Sequence, residues 1–119
     1  MKSELEIFKE LIKYLQGLSC PIIVEGPRDV AALEAFGISN LHPLSKSLEA
    51  EAEEIASDNK EVVILSDLDP RGKRIYSVLS GLFTKMGVKV LNKPRELLFQ
   101  TKLRQVEGLY HRVRRLEES

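Results

Sequence analysis

The chain has 119 residues, of which 43% are hydrophobic and 30% are charged, values typical of a folded globular domain. Its 18 basic and 18 acidic residues balance, so any nucleic-acid binding requires a local basic patch rather than an overall field. The single cysteine excludes a disulfide framework and a cysteine-based zinc site. No apolar run reaches membrane length and the N-terminus lacks a signal-peptide pattern, so we expect a cytoplasmic protein without membrane contact.

Apolar residues at helical spacing predict a first helix over residues 3–17, and the run Pro21 to Val24 predicts a strand over 22–24. The pattern then predicts further elements in chain order: a helix ending at Gly37, a short strand near 40–42, a helix over 45–59, a strand over 62–65, a helix over 72–86, a strand over 88–91 and one long helix over 94–117.

This alternation favours a parallel sheet with helices on both of its faces. We therefore predict an α/β protein with a three-layer α/β/α architecture, a four-stranded, mainly parallel sheet and a long C-terminal helix. The prediction is one domain over residues 1–119, with its core at about 20–92. Ligands of such sheets bind outside the carboxyl ends of the strands.

Three carboxylates stand at the ends of the two most apolar predicted strands. Glu25 ends the first of them, and Asp67 and Asp69 follow the run Val62 to Leu65. Two residues apart on an extended backbone, the aspartates point the same way and can share one cation. Oxygen ligands without a histidine or cysteine cluster suit Mg²⁺ or Mn²⁺. Such an ion, held by Asp67, Asp69 and Glu25, fits phosphoryl transfer, with Glu25 as a proton donor or acceptor.

The cations beside these acids have two interpretations. Arg28 and Arg71 can hold phosphate oxygens bidentately, and Lys73 can reach phosphate from the first turn of the next helix. Alternatively, these cations pair with the acids, or the acids only cap the following helix. The first interpretation makes the three cations nucleic-acid contacts, and the second makes them structural.

The helix predicted over 94–117 carries a basic cluster formed by Arg112, Arg114 and Arg115. One interpretation is a packing helix whose basic end complements its own dipole. The other is a surface for nucleic acid or for a protein partner.

The residues around the acids resemble the two signature motifs of Toprim domains. Residues 24–33 (Val-Glu-Gly-Pro-Arg-Asp-Val-Ala-Ala-Leu) resemble the glutamate motif, and residues 64–72 (Ile-Leu-Ser-Asp-Leu-Asp-Pro-Arg-Gly) resemble the Asp-x-Asp strand end followed by glycine. The resemblance covers residues 20–92. It implies a Rossmann-like parallel fold and a magnesium site that makes or breaks phosphodiester bonds. It also implies that Glu25 is the general acid or base and that Asp67 and Asp69 are metal ligands.

The chain departs from the larger members of this family. Topoisomerases continue the acidic motif with a third acid where this chain has Arg71, and 119 residues leave no room for a tyrosine-bearing cleavage domain. The zinc-binding region and the large catalytic part of a primase are also absent. We therefore expect a small stand-alone Toprim protein, closest in its glutamate motif to the primase and ribosomal-RNA maturase branch.

Two functions of different class follow. As an enzyme, the domain would be a magnesium-dependent nuclease or nucleotidyl transferase acting on RNA or DNA. As an adapter, it would bind nucleic acid or protein without turnover, within a larger complex or as a homo-oligomer. A third interpretation, a haloacid-dehalogenase-like phosphatase with Asp67 as the nucleophile, is disfavoured because Pro70-Arg71-Gly72 follows the motif and the motif lies past mid-chain.

Overall fold

The computed structural model describes all 119 residues of the chain. Its elements in chain order are α1 (Glu4–Gln16), β1 (Ile22–Val24), α2 (Pro27–Glu34), β2 (Leu41–Pro43), α3 (Leu48–Asp58), β3 (Glu61–Ile64), α4 (Pro70–Lys85), β4 (Lys89–Val90), α5 (Lys93–Phe99), a 3-10 helix (Val106–Gly108) and α6 (Leu109–Glu118).

The four strands form one parallel sheet in the order β2-β1-β3-β4. The two predicted apolar strands, β1 and β3, are therefore neighbours at its centre, with Ile22 opposite Val63 and Ile23 opposite Ile64. Strand β2 lies at the edge, where a residue without an N–H group, such as Pro43, is tolerated. The predicted α/β fold with a four-stranded parallel sheet is confirmed.

Alternate residues of the central strands face opposite layers of helices, as the period of an extended strand requires. Ile22, Val24 and Val63 pack into a core with α1, α2, α5 and α6, whereas Ile23 and Ile64 pack against α3 and α4. Both faces of the sheet are thus covered, which explains why β1 and β3 are continuously apolar rather than alternating. The architecture is the predicted three-layer α/β/α arrangement.

Proline starts the helix that follows each central strand. Pro27 is the first residue of α2 and Pro70 the first residue of α4. At this position proline costs no hydrogen bond, and its fixed φ angle favours the helix. Because α2 begins only three residues after β1 ends, the acid between them is held at the rim of the sheet.

The prediction of one continuous helix over 94–117 is wrong for the middle of that range. The chain instead forms α5, an irregular segment over 100–105, the 3-10 helix and then α6. Part of the reason is local: the Thr101 hydroxyl donates to the Leu98 carbonyl and accepts from the Leu103 N–H. Side-chain bonds of this kind compete with the backbone bonds of a helix.

The stronger reason for the break is tertiary. The Arg104 carbonyl accepts a hydrogen bond from the Leu68 N–H at 2.7 Å, and the Val106 N–H donates to the Asp67 carboxylate at 2.8 Å. These backbone groups pair with the loop after β3 instead of with each other, so the apolar periodicity of the segment does not become one helix. The irregular segment thereby becomes part of the wall of the acidic site.

A membrane-crossing helix, which has to be both long and apolar, does not occur in this structure.

Candidate metal and phosphate site

Glu25 and the two aspartates lie at the carboxyl ends of adjacent strands, at the same rim of the sheet. The Asp67 N–H donates a hydrogen bond of 2.8 Å to Oε2 of Glu25, which ties the end of β1 to the end of β3. Glu25 and Asp67 are 42 positions apart in the sequence, and through this bond the two sequence motifs meet in space. This is the position at which parallel α/β sheets bind their ligands.

Each of the three carboxylates is held by one backbone N–H and keeps one oxygen free of any hydrogen bond from the protein. Glu25 accepts through Oε2 from Asp67, Asp67 accepts through Oδ1 from Val106, and Asp69 accepts through Oδ1 from Gly72. None of the three is in a salt bridge. The side chains are therefore oriented by the backbone, while their second oxygens remain available to a ligand.

Asp69 has a structural role as well, because it is the N-cap of α4. Its hydrogen bond to the Gly72 N–H is 2.7 Å long and satisfies one of the unpaired donors at the start of that helix. The capping role considered from the sequence is therefore correct for Asp69. It uses one oxygen and leaves the other free, so the cap does not exclude metal binding.

Gly72 is required by a close backbone approach. A Cβ atom at this position would lie 2.0 Å from the carbonyl oxygen of Asp67 and 2.8 Å from its nitrogen. Nearby, the Ser66 hydroxyl donates to the Gly72 carbonyl at 2.8 Å. The start of α4 thus packs directly on the backbone that carries the first aspartate, and the glycine of the second motif has a steric explanation.

The acids raise one another's proton affinity. Burial raises the pKa of the Glu25 carboxyl, and the negative charges of Asp67 and Asp69 raise it further, against the opposing hydrogen bond from the Asp67 N–H. Burial also raises the pKa of the Asp67 carboxyl, with the charge of Asp69 adding to the effect. A divalent cation would relieve this repulsion, and Glu25 is moved toward the range in which a carboxyl transfers protons near neutral pH.

Asp29, which the sequence did not assign to the site, lies close enough to Asp67 and Glu25 for their charges to raise the pKa of its carboxyl. It is only 5% exposed, and its Oδ2 accepts from the Gly26 N–H at 3.0 Å. Asp29 is the third residue of α2, and its side chain reaches back to Gly26, the residue before the helix. This contact is one half of a capping box, and the spacing of three residues is visible in the sequence. Burial, followed by the charge of Asp67, raises the pKa of Asp29 to about 6.

Asp29→Asn should make the protein more stable at pH 8 and leave it nearly unchanged at pH 4. Because its folded-state pKa is raised from 3.8 to about 6, folding binds protons at Asp29, and the stability that this provides is lost as pH rises through 6. Asparagine has no charge to bury, and its amide oxygen can still accept the hydrogen bond from the Gly26 N–H. We therefore expect the free energy of unfolding of the variant to exceed that of the wild type by up to about 3 kcal/mol above pH 6. Urea unfolding of the variant and the wild type in EDTA at pH 4 and pH 8 measures this difference. The same difference at both pH values would contradict the raised pKa of Asp29.

Arg95 is the second residue of the site that sequence reasoning missed. It is 5% exposed and donates to the Ser66 carbonyl at 2.6 Å, to the Ser66 hydroxyl at 2.9 Å and to the Asp67 carbonyl at 3.2 Å. Its guanidinium lies 4.5 Å from the centre of the Tyr76 ring. It thereby fixes the backbone between β3 and the first aspartate, and nothing in the spacing along the sequence signals this contact.

The three predicted phosphate contacts are distributed over separate surfaces. Arg71 lines a groove of about 460 Å³ together with Glu25, Lys73 lines a groove on the far side of α4, and Arg28 lines a third groove beside α6. None of the three forms a salt bridge. The alternative that they neutralise the acids by direct pairing is therefore wrong in this structure.

The tightest group of potential metal ligands lies elsewhere, at the edge strand. Ligand atoms of His42, Glu51 and Glu54 all lie within 4.8 Å of one another, and this is the only such group of three. Glu51 is 1% exposed and is already satisfied by His42 Nε2 at 2.9 Å and by the N–H groups of Ser45 and Lys46. Although burial opposes it, these bonds hold the pKa of Glu51 below its usual value. The group thus anchors the loop after β2 without needing an ion.

Comparison with known proteins defines the class to which this fold and these strand-end acids belong. The family model of the Toprim domain matches residues 20–95, which include both motifs. The chain therefore belongs to the Toprim family, whose domains bind divalent metal ions and are generally associated with nucleic acids. This match also sets aside the phosphatase interpretation.

Similar proteins of comparable size are found in archaea and in a bacterium. A UPF0292 protein of Methanosarcina barkeri is 41% identical over 93% of this chain and 80% of its own length. A UPF0292 protein of Methanocaldococcus jannaschii is 31% identical over 91% of this chain and 93% of its own. A solved structure from Aquifex aeolicus, 31% identical, covers 84% of this chain and 95% of that one with a TM-score of 0.78.

Proposed function

We propose that this Toprim domain carries out magnesium-dependent phosphodiester chemistry on nucleic acid, as a nuclease or a nucleotidyl transferase. The observation that carries the proposal is the set of three carboxylates at one rim, each oriented by a backbone N–H and each with an unbonded oxygen. None of the three acids is in a salt bridge, so the free oxygens can bind a cation without an ion pair being broken first.

The donor set fits a hard cation. The three acids do not form a closed three-ligand cage within 4.8 Å. Mg²⁺ does not require one, because it usually takes one or two protein carboxylates and completes its octahedron with waters and phosphate oxygens. We assign Asp67 and Asp69 as the residues that would hold the ion, with Glu25 beside them. When bound, the ion would supply charge neutralisation at the phosphate.

Glu25 is the residue best suited to hold or deliver a proton. Its pKa is raised by burial and by Asp67 and Asp69, and it borders the same groove as Arg71. A phosphate oxygen in that groove would meet a guanidinium on one side and the carboxyl on the other. The general acid or base role therefore falls to Glu25, and the positioning of the phosphate falls to Arg71.

Basic residues flank the acids on both sides, although the whole chain has no net charge. Lys46, Arg71 and Arg74 line the groove that contains Glu25. A groove of about 490 Å³ on the other side contains Asp69 together with Lys102 and Arg104. Cations on both sides of an acidic centre suit a polyanion that crosses the rim, with the reacting phosphate at the centre.

The proposal is tested by incubating the pure protein with end-labelled RNA and DNA, in single-stranded and duplex form, with Mg²⁺, with Mn²⁺ and with EDTA. Each incubation is done with and without the nucleoside triphosphates from which a strand could be extended. We expect product, a cleaved or an extended strand, only when metal is present, because the acids alone repel the phosphate. Binding of nucleic acid or of a protein without turnover under all conditions would instead support the adapter. Turnover that survives EDTA would contradict the metal site.

A further inference from the structure

A separate groove of about 320 Å³ lies on the far side of α4 from Glu25, between that helix and α5. It is lined by Lys73, Tyr76, Asn92, Arg95, Glu96 and Phe99. Phe99 at the end of α5 is 47% exposed, whereas Phe8 and Phe83 are fully buried. Phe99 is the only aromatic residue among the exposed large hydrophobic side chains, and its ring borders this groove.

The aromatic rings of this groove are stacked with cations. The Arg95 guanidinium lies 4.5 Å from the centre of the Tyr76 ring and 5.5 Å from that of Phe99, and Lys73 Nζ lies 6.0 Å from the centre of the Phe99 ring. Arg95 is itself buried and bonded to the backbone of Ser66 and Asp67. Arg95 therefore contacts both aromatic rings of the groove and also holds the backbone that carries the first aspartate.

We propose that this groove binds an unpaired nucleobase of a single-stranded nucleic acid, stacked on the exposed Phe99 ring, with Lys73 contacting the adjoining phosphate. Stacking platforms combined with basic residues are the general means of binding single strands. Lys73 has no salt-bridge partner in the structure, and its Nζ has to turn from the Phe99 ring to the adjoining phosphate when the base binds. Polar groups of Asn92 and Glu96 border the groove and provide partners for the edge of a base.

This inference deepens the proposed function, on which it rests for the identity of the polymer. Arg95 contacts both the Phe99 ring and the carbonyl of Asp67. A base stacked on Phe99 would therefore be separated by one side chain, Arg95, from the backbone of the first aspartate. A paired base is stacked between its neighbours and cannot offer its face to Phe99, so the groove selects single-stranded over duplex substrate.

The test uses the absence of tryptophan from this chain. Phe99→Trp introduces a single indole, whose fluorescence should be quenched when a base stacks on it. The protein is titrated in EDTA with oligothymidylate, with oligouridylate and with an abasic DNA of equal length. We expect quenching by the DNA or the RNA oligomer and none by the abasic strand. Equal responses to oligomers with and without bases would overturn the proposal.

The affinity for the same oligomers, measured on the chain without the tryptophan probe, gives a second readout. Phe99→Ala should weaken binding of the base-containing oligomer by roughly 5- to 150-fold and leave the abasic strand unaffected. Met86→Ala is the matched control, because it shortens an exposed side chain that lies outside the groove, at the C-cap of α4. It should change the affinity for neither strand. Loss of affinity for both strands, loss for neither, or no binding of any oligomer by the wild type would also overturn the stacking subsite.

These outcomes separate the subsite from the proposed function. Base-dependent binding without any metal-dependent turnover would retain the subsite and reject the enzyme. Metal-dependent turnover with binding that ignores the bases would retain the enzyme and reject the subsite.

Discussion

Gly72→Ala is expected to destabilise the protein by about 3 kcal/mol or more, at the upper end of what overpacking costs. The added methyl group would lie 2.0 Å from the carbonyl oxygen of Asp67, which is backbone and cannot rotate away. The matched control is Gly81→Ala in the same helix, where a Cβ meets nothing within 4 Å. There the substitution should stabilise by about 0.5–1 kcal/mol, because alanine favours the helix interior over glycine. Urea unfolding of both variants measures the difference.

The same substitution should damage the site beyond its cost in stability. To admit the methyl group, α4 has to move away from the backbone of Asp67, and the Asp67 N–H is the group that holds Glu25. We therefore expect the folded fraction of Gly72→Ala to bind divalent metal more weakly than Gly81→Ala does. Equal stability and equal metal affinity in the two variants would show that the close approach between α4 and Asp67 does not exist.

Glu25→Gln is expected to reduce metal-dependent turnover by about 10²- to 10⁴-fold, the contribution typical of a positioned proton-transfer group. Asp67→Asn should reduce turnover at least as strongly, because it removes a residue that would hold the metal ion. Stability should not fall in parallel. The pKa values of both carboxyls are raised in the folded protein, so their charged forms are disfavoured by folding at neutral pH, and removing the charge is neutral or stabilising. Initial rates and urea unfolding on the same preparations make the two measurements.

Two further variants sharpen this result. Asp69→Asn keeps an oxygen for the helix cap but loses the charge, so reduced turnover with unchanged stability would separate its two roles. Glu53→Gln removes an exposed acid of α3 and should have no effect on rate. Turnover that persists near the wild-type rate in Glu25→Gln, Asp67→Asn and Asp69→Asn would place the chemistry elsewhere.

The parts of the site that the sequence predicted depend on short-range patterns. Uninterrupted apolar runs indicated β1 and β3, and each run is followed directly by its acid. Two such strands in a parallel sheet end at the same rim, so the approach of Glu25 to Asp67 could be expected without coordinates. The roles of these residues in metal binding and catalysis stay predictions.

The parts that the sequence did not predict depend on long-range contacts. Arg95 reaches Ser66 across 29 positions, and the Val106 N–H reaches the Asp67 carboxylate across 39. No pattern of apolar or polar residues in the sequence indicates either contact. The helical spacing of apolar residues after Pro94 instead predicted one continuous helix. Tertiary hydrogen bonds to the loop after β3 outweighed that local preference, and they explain why the C-terminal segment belongs to the site.

The central claim is that Glu25, Asp67 and Asp69 hold a divalent ion, and that the group of His42, Glu51 and Glu54 does not. Calorimetric titration of Mn²⁺ into the wild type, Asp67→Asn and His42→Ala tests it most directly. His42→Ala dismantles the competing group of His42, Glu51 and Glu54. The claim predicts that binding is lost in Asp67→Asn and retained in His42→Ala. Binding that is retained in Asp67→Asn, or that disappears only in His42→Ala, would contradict it.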